Sequence, residues 1–220
     1  MIRAAIFDMD GLMLDTEPVW DQAFINVLGR YGLELDEKMR NETRGVAGPL
    51  LIQKVQEAYG DALDASAFVD EMKIEANRLF ALGVPQKPGL VQILDYLQSK
   101  GLELVIASSS DISTIDAHFA HHNLGNWFCH IASGQQVALP KPAPDVFLLA
   151  ADMVGVKPWE AIVFEDSQVG AKAGIDGGFK VIVVPDMIEP TEEIARQVEA
   201  VCNDLFEAKD VAATLIEQSK

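Results

Sequence analysis

The stretch AAIFDMDG, residues 4–11, is the most informative part of the chain: an apolar run ends in two aspartates one residue apart, and a glycine follows. Such a run is typical of a buried strand, and because side chains alternate along a strand, Asp8 and Asp10 would project the same way if it continued. Two carboxylates held so close repel each other unless a cation or a shared proton relieves them. Open α/β sheets place their sites at the C-terminal ends of their strands, so the stretch predicts a metal-assisted site with one carboxylate free to attack.

The rest of the chain separates into a helical segment and a segment of alternating strands and helices. Apolar residues at helical spacing predict helices over 17–32, near 51–59 and near 68–80, with no strong strand signal between about 16 and 82. From residue 84 onward, strands alternate with helices, which predicts βαβ units and a parallel sheet. The predicted strands are 102–107, 130–132, 161–165, 180–184 and 199–202. We therefore predict a doubly wound, Rossmann-like α/β core from 1–16 and 83–220, with an all-helical cap domain inserted at 17–82 over its C-terminal edge.

Charge and composition restrict the partners. The formal net charge is −17, which argues against nucleic acid, heparin or an anionic membrane as a partner. Cys129 and Cys202 form no CxxC or zinc spacing and fit a reducing compartment. The N-terminus does not resemble a signal peptide, and no apolar run approaches the length of a membrane span. We expect a soluble cytoplasmic protein that acts as a monomer on a small molecule, with no nucleic-acid or membrane partner.

Polar groups follow further predicted strands at the points where they end. Ser108 and Ser109 follow the strand at 102–107, Lys141 lies between two prolines after the next strand, and Glu165 and Asp166 end the strand at 161–165. In a parallel sheet these ends share one edge with the aspartates of the first strand. The edge would then combine a nucleophile, a second acid, hydroxyl and amide donors, a cation and a further acidic pair.

Phosphoryl transfer would use these groups, because it depends mostly on positioning and charge neutralisation. The Asp8 carboxylate could attack phosphorus and form an aspartyl-phosphate, which splits one difficult step into two. Asp10 could protonate the leaving oxygen and then activate water on the phosphoenzyme. Lys141 could neutralise the nucleophile and the transferring group. These three side chains are the predicted catalytic residues.

The other polar groups fit a metal ion and a phosphate. Magnesium prefers oxygen ligands and keeps some waters, so Asp8 and Asp166 could bind it by side chain, with Glu165 nearby through water. Ser108, with the amide of Ser109 and others at the following helix N-terminus, could hold phosphate oxygens. Taken alone, Asp166 could instead be a helix N-cap.

Four motifs of the chain resemble those of the haloacid dehalogenase (HAD) superfamily hydrolases, and they stand in the same order: FDMDG at 7–11, Ala-Ser-Ser at 107–109, KPAPD at 141–145 and EDS at 165–167. The chain is similar to the branch that contains β-phosphoglucomutase and sugar-phosphate phosphatases, where a helical cap follows the first motif. The resemblance implies Asp8 as nucleophile and Asp10 as acid/base. It implies Mg²⁺ bound by Asp8, the backbone carbonyl of Asp10, and Asp166.

The chain departs from β-phosphoglucomutase at two positions of the cap. Where that enzyme has a histidine and an arginine, this chain has Trp20 and Gly48. The run DTEPVW at 15–20 is instead similar to hexose-phosphate phosphatases, which favours hydrolysis of small phosphomonoesters, above all sugar phosphates. Glu17 is the cap residue that we expect to contact substrate, Trp20 is expected to pack within the cap, and Arg44 could either line the site or lie on the surface.

Four alternatives remain at this stage: a phosphomutase, a dehalogenase, a non-enzymatic phospho-acceptor signalling domain, and an inactive relative that serves as a binding scaffold. His118 and His122 are four residues apart, a spacing that can bind metal, but the sequence nearby offers no third ligand. We interpret them, together with His121 and His130, as surface or half-buried residues. Ser110 is expected to cap the helix that follows it.

Overall fold

The computed structural model describes residues 1–43, 46 and 48–219. The chain divides into two compact units, which we name by content. The core unit is Met1–Asp15 with Pro85–Lys220, and the helical unit is Thr16–Val84. Whether the helical unit acts as a cap domain stays a prediction.

The core unit is built on a six-stranded sheet in which every neighbouring pair of strands is parallel. Its strands are β1 Ala4–Phe7, β2 Glu103–Ser108, β3 His130–Ser133, β4 Ala161–Glu165, β5 Lys180–Val183 and β6 Ala200–Val201. Their order across the sheet is β3-β2-β1-β4-β5-β6. The doubly wound α/β fold predicted from the sequence is confirmed. Because the chain proceeds outward from β1 in both directions, the C-terminal ends of β1, β2 and β4 border the crevice where such folds bind ligands.

Apolar strand interiors explain why β1 lies at the centre. Four strands that are neighbours in the sheet each contribute an almost fully buried apolar residue: Val105 from β2, Ile6 from β1, Val163 from β4 and Val181 from β5. Continuous apolar runs of this kind require cover on both faces, which helices provide in a parallel sheet. The helices of the core unit are α5 Leu90–Ser99, α6 Ile112–His122, α7 Asp145–Met153, α8 Gln168–Asp176, α9 Glu192–Ala195 and α10 Leu205–Gln218, numbered after the four helices of the helical unit.

The helical unit contains α1 Glu17–Arg30, α2 Glu37–Thr43, α3 Gly48–Tyr59 and α4 Ala65–Phe80. Helices α1 and α4 pack through two aromatic pairs. The ring centroids of Phe24 and Phe68 lie 5.0 Å apart, and those of Trp20 and Phe80 lie 5.3 Å apart. The packing role predicted for Trp20 is therefore confirmed. Helix α2 lies in a mostly polar stretch for which the sequence predicted no helix; its buried residue is Met39.

Within the described part of the chain, no helix combines the length and the apolar character that crossing a bilayer would require.

Candidate active site

Asp8 stands directly after β1, in the middle of the sheet. Its backbone N–H donates to the carbonyl oxygen of Phe164 at 3.0 Å, which keeps the residue in register with β4. The Asp8 side chain is buried, with 9% of its surface exposed. The strand therefore delivers one carboxylate to the crevice and removes it from water.

Glu165 and Asp166 end β4 beside it. The Glu165 oxygen Oε2 accepts from the backbone N–H groups of Asp166 and Ser167, both at 2.9 Å, and from the Ser167 hydroxyl at 3.0 Å. Ser167 is also the N-cap of α8, because its hydroxyl oxygen accepts from the Gly170 N–H at 3.0 Å. The cap of this helix is therefore Ser167, so Asp166 is not committed to capping and its carboxylate stays available.

Lys141 joins the carboxylates of β1 and β4. Its ammonium nitrogen Nζ donates to Asp8 Oδ1 at 2.6 Å, to Glu165 Oε1 at 2.7 Å and to the carbonyl of Ala107 at 3.3 Å. The same nitrogen lies 4.6 Å from the ring centroid of Phe147, close enough for a cation–π contact. Burial disfavours the charged ammonium, but the attraction of Asp8 and Glu165 outweighs it and raises the pKa of Lys141.

Three carboxylates converge here, and the positive charge of Lys141 offsets only part of their negative charge. One oxygen each of Asp8, Glu165 and Asp166 lies within 4.8 Å of the others. Burial, together with the charges of Glu165 and Asp10, raises the pKa of Asp8 to about 7 although Lys141 opposes this. Burial and the charges of Glu165 and Asp8 raise the pKa of Asp166 well above its usual range.

Glu165 behaves differently within the same cluster. Burial alone would raise its pKa, but the charge and hydrogen bonds of Lys141 and the donors of Ser167 lower it. Glu165 is therefore the satisfied member of the cluster. Asp8 and Asp166 keep an excess of negative charge, which a proton or a cation would neutralise.

A buried set of oxygen ligands of this kind fits Mg²⁺, which prefers carboxylates and water. Gly11 leaves the space beside the Asp166 carboxylate open because it has no side chain. Its φ of +83° suits glycine, and a Cβ there would lie 2.3 Å from Asp166 Oδ2. The prediction of a buried acidic site that could hold a metal ion is thus supported.

The second aspartate, Asp10, is held by serines from the end of β2. Its Oδ2 accepts from the Ser110 hydroxyl at 2.8 Å and from the Ser108 hydroxyl at 3.4 Å. The Ser108 hydroxyl oxygen in turn accepts from the Ser110 N–H at 3.0 Å, and Ser108 is fully buried. Ser109, between them, is exposed. The predicted phosphate-binding roles of Ser108 and Ser109 stay predictions.

Two expectations about this loop and the following helix α6 were wrong. Ser110 does not cap α6: Asp111 does, accepting from the Thr114 N–H at 2.8 Å. Sequence reasoning assigned the helix cap one residue too early and so missed the contact of Ser110 with Asp10. His118, on α6, is buried rather than half-buried or on the surface. Burial lowers the pKa of His118, partly opposed by the charge of Asp10.

The remaining candidates lie elsewhere. His122 is half-buried, and His121 and His130 are exposed, as predicted. Glu17 is the first residue of α1 in the helical unit, and its substrate contact stays a prediction. Arg44 lies outside the described residues. Sequence reasoning also missed Asp186, which follows β5; the rule applied to the ends of the other strands would have found it.

Comparison with known proteins gives the family. The model of the haloacid dehalogenase-like hydrolases matches residues 2–178. The chain belongs to this family. It is 34% identical over 179 residues to fructose-1-phosphate phosphatase YqaB of Escherichia coli strain K12, covering 81% of this chain and 94% of that protein. It is 30% identical over 183 residues to the phosphorylated carbohydrates phosphatase of Thermotoga maritima, covering 81% and 83%.

Among solved structures, the hydrolase resembles a protein of Thermotoga maritima described as a candidate β-phosphoglucomutase. The TM-score is 0.80 and the sequence identity 26%, with 98% of this chain and 99% of that chain covered. The resemblance to HAD hydrolases of the β-phosphoglucomutase and sugar-phosphate phosphatase branch is therefore confirmed.

Proposed function

We propose that this hydrolase is a Mg²⁺-dependent phosphatase that acts on small phosphomonoesters, most of all sugar phosphates, through an aspartyl-phosphate on Asp8. The observation that carries the proposal is the buried contact of Lys141 with both Asp8 and Glu165, beside the unbalanced charge of Asp166. The names of two relatives, a fructose-1-phosphate phosphatase and a phosphorylated carbohydrates phosphatase, support the substrate class. The helical unit would act as the cap, with Glu17 contacting substrate.

The first transfer would form a bond between a carboxylate oxygen of Asp8 and the phosphorus, and break the bond from phosphorus to the sugar oxygen. Lys141 would hold Asp8 in position through Oδ1 and offset the negative charge that the phosphate brings. Asp10 would give its proton to the departing sugar oxygen. The Ser110 hydroxyl, which donates to Asp10 Oδ2, would orient that carboxyl so that its other oxygen carries the proton.

The second transfer would return the enzyme to its starting state. Asp10, now ionised, would take a proton from a water molecule as that water attacks the phosphorus of the aspartyl-phosphate. The bond between Asp8 and phosphorus would break, releasing inorganic phosphate. Bound through Asp8, Asp166 and the Asp10 carbonyl, with Glu165 nearby, Mg²⁺ would neutralise charge on the phosphoryl oxygens and the nucleophile.

A phosphate-release screen over sugar phosphates and other phosphomonoesters, with Mg²⁺ and with a chelator, tests the proposal. We expect release from sugar phosphates with Mg²⁺ only, and a loss of at least about 10³-fold in Asp8→Asn. Asp10→Asn should slow turnover by about 10²- to 10⁴-fold, because it removes the acid of the first transfer and the base of the second. Asp176→Asn, an exposed residue paired with Lys172, is the matched control and should stay at the wild-type rate.

Other outcomes separate the alternatives. Wild-type activity in Asp8→Asn would contradict the mechanism. With β-glucose 1-phosphate as substrate, glucose 6-phosphate instead of free phosphate would indicate the phosphomutase that the structural relative suggests. A stably phosphorylated wild-type chain without turnover would indicate a phospho-acceptor domain.

A further inference from the structure

A partly buried ion pair lies beside the acidic cluster and is not used by the proposed mechanism. Lys87, which precedes α5, binds Oδ1 of Asp186 and contacts Asp15 Oδ1 at 3.2 Å. The side chain of Asp186 is 8% exposed, and that of Lys87 is 22% exposed. All three residues belong to the core unit. The pair therefore holds a carboxylate in a buried position after β5.

The other oxygen of this carboxylate, Asp186 Oδ2, is buried and accepts no hydrogen bond from the described residues. A buried carboxylate oxygen without a hydrogen-bond donor destabilises the folded state, because it has lost its hydrogen bonds to water and has formed none in their place. Lys87 provides a donor for Oδ1 but not for Oδ2. A donor that belongs to a bound ligand would supply the hydrogen bond that Oδ2 lacks.

The position of Oδ2 indicates which ligand. A Cβ built on Gly11 would lie 2.3 Å from Asp166 Oδ2 and 3.4 Å from Asp186 Oδ2. The two carboxylate oxygens thus border the same small space, which the glycine leaves open. Among the described residues, the carboxylates that come within 4.8 Å of one another are Asp8, Glu165 and Asp166, and Asp186 is outside that group. Asp186 is near the cluster without joining its possible direct ligands.

We propose that Asp186 is a positioning residue of the metal centre, whose Oδ2 accepts hydrogen bonds from water bound to the divalent cation. This inference rests on the proposed function, which supplies the cation. Mg²⁺ keeps several waters when carboxylates bind it, and those waters donate to neighbouring acceptors. Residues that orient such groups typically contribute 10- to 100-fold in metal affinity. Lys87 sets the orientation of Asp186 through Oδ1 and offsets its charge, so that it does not add to the repulsion within the cluster.

Calorimetric titration with Mg²⁺ tests this without reference to turnover. We expect Asp186→Asn to raise the Mg²⁺ dissociation constant by about tenfold or more relative to wild type. The amide keeps the size of the side chain but presents a weaker acceptor. Asp176→Asn, which removes one negative charge at an exposed site of the same unit, should bind Mg²⁺ as wild type does. Circular dichroism and thermal unfolding with chelator check that each variant is folded, and Asp186→Ser replaces Asp186→Asn if the latter is not.

Two results would overturn the proposal. The first is an Asp186 variant that is folded and binds Mg²⁺ within twofold of wild type while Asp8→Asn loses binding; this leaves the proposed function standing. A purely structural pair would give that result together with equal losses of thermal stability in Asp186→Asn and Lys87→Met. The second is a wild-type protein that binds no Mg²⁺, which would overturn this inference and the metal-dependent function together.

Discussion

Each unit of the protein buries a carboxylate, but the two are surrounded in opposite ways. In the helical unit, Glu75 of α4 accepts from Arg30 and Arg78 at 2.7 Å each and from the side-chain amide of Asn26 at 2.8 Å. The hydrogen bonds of Arg78 and Asn26 come first among the causes that lower the pKa of Glu75 to about 2. This acid is ionised and fully partnered without any ligand.

In the core unit, Asp8 shares one buried ammonium with Glu165, and burial together with the charges of Glu165 and Asp10 raises its pKa to about 7. Burial of an acid therefore does not by itself indicate a functional site. An acid whose charge is balanced by neighbouring donors stabilises its unit, whereas a buried acid left with excess negative charge is a candidate for binding a proton or a cation.

The largest effect should come from removing the cation on each side. Lys141→Met leaves two buried carboxylates without their counter-charge, so we expect unfolding with chelator to become easier by about 3–5 kcal/mol, with loss of phosphatase activity. Arg78→Met removes an exposed partner from Glu75, which keeps Arg30 and Asn26. Its effect on unfolding by urea should be much smaller and its activity retained. Equal losses of stability in the two variants would contradict the comparison.

A smaller effect should follow from adding a methyl group to a helical glycine of each unit. At Gly170 of α8, a Cβ would overlap Glu165, only 1.6 Å from its Oε1. Since Glu165 is held on all sides, Gly170→Ala should cost about 1–3 kcal/mol and displace the carboxylate from Lys141, lowering activity. A Cβ added at Gly29 of α1 would meet no atom within 4 Å outside its own helix backbone and chain neighbours, so Gly29→Ala should be neutral or stabilising by up to about 1 kcal/mol. Thermal unfolding and phosphate release measure both, and a Gly170→Ala enzyme of wild-type activity would exclude so tight a site.

The dependence of the free energy of unfolding on pH should have opposite signs in the two units. Because the pKa of Asp8 is raised, its carboxyl holds a proton in the folded state at pH values where it is ionised in the unfolded state. With chelator, the contribution of Asp8 to the free energy of unfolding therefore falls as the pH rises from about 4 to about 7. The lowered pKa of Glu75 gives a contribution that is present above about 4.5 and is lost as the pH falls toward 2.

Mg²⁺ sharpens this test, because it competes with the proton on Asp8. Its dissociation constant should rise by about tenfold for each pH unit below 7, so added Mg²⁺ should raise the unfolding temperature more at pH 8 than at pH 5.5. Asp8→Asn should remove this dependence, and Glu75→Gln should flatten the acid limb alone. A Mg²⁺ effect that is independent of pH would indicate that Asp8 does not take up the proton.

Much of the site could be predicted because its residues stand at strand ends. Asp8, Glu165 and Asp166 each stand at the end of an apolar run, and a parallel sheet brings such ends to one edge. Lys141 lies eight residues after the end of β3, so its position also depends on the loop that carries it. The contact of Ser110 with Asp10 was missed because a serine before a helix has two possible partners, and local sequence does not distinguish them. The burial of His118 was missed because it depends on what packs over α6.

Apolar periodicity and residue type are properties of neighbouring residues, so the succession of strands and helices along the chain and the chemical groups at the sheet edge follow from the sequence alone. How charge is distributed among those groups follows only from the folded structure. Lys141 binds an aspartate 133 positions away, and Asp186 reaches the space beside Gly11 with one oxygen that accepts no hydrogen bond from the residues the structure describes. Both outcomes depend on distance and burial between residues far apart in the chain, and electrostatic free energy depends on these rather than on sequence order.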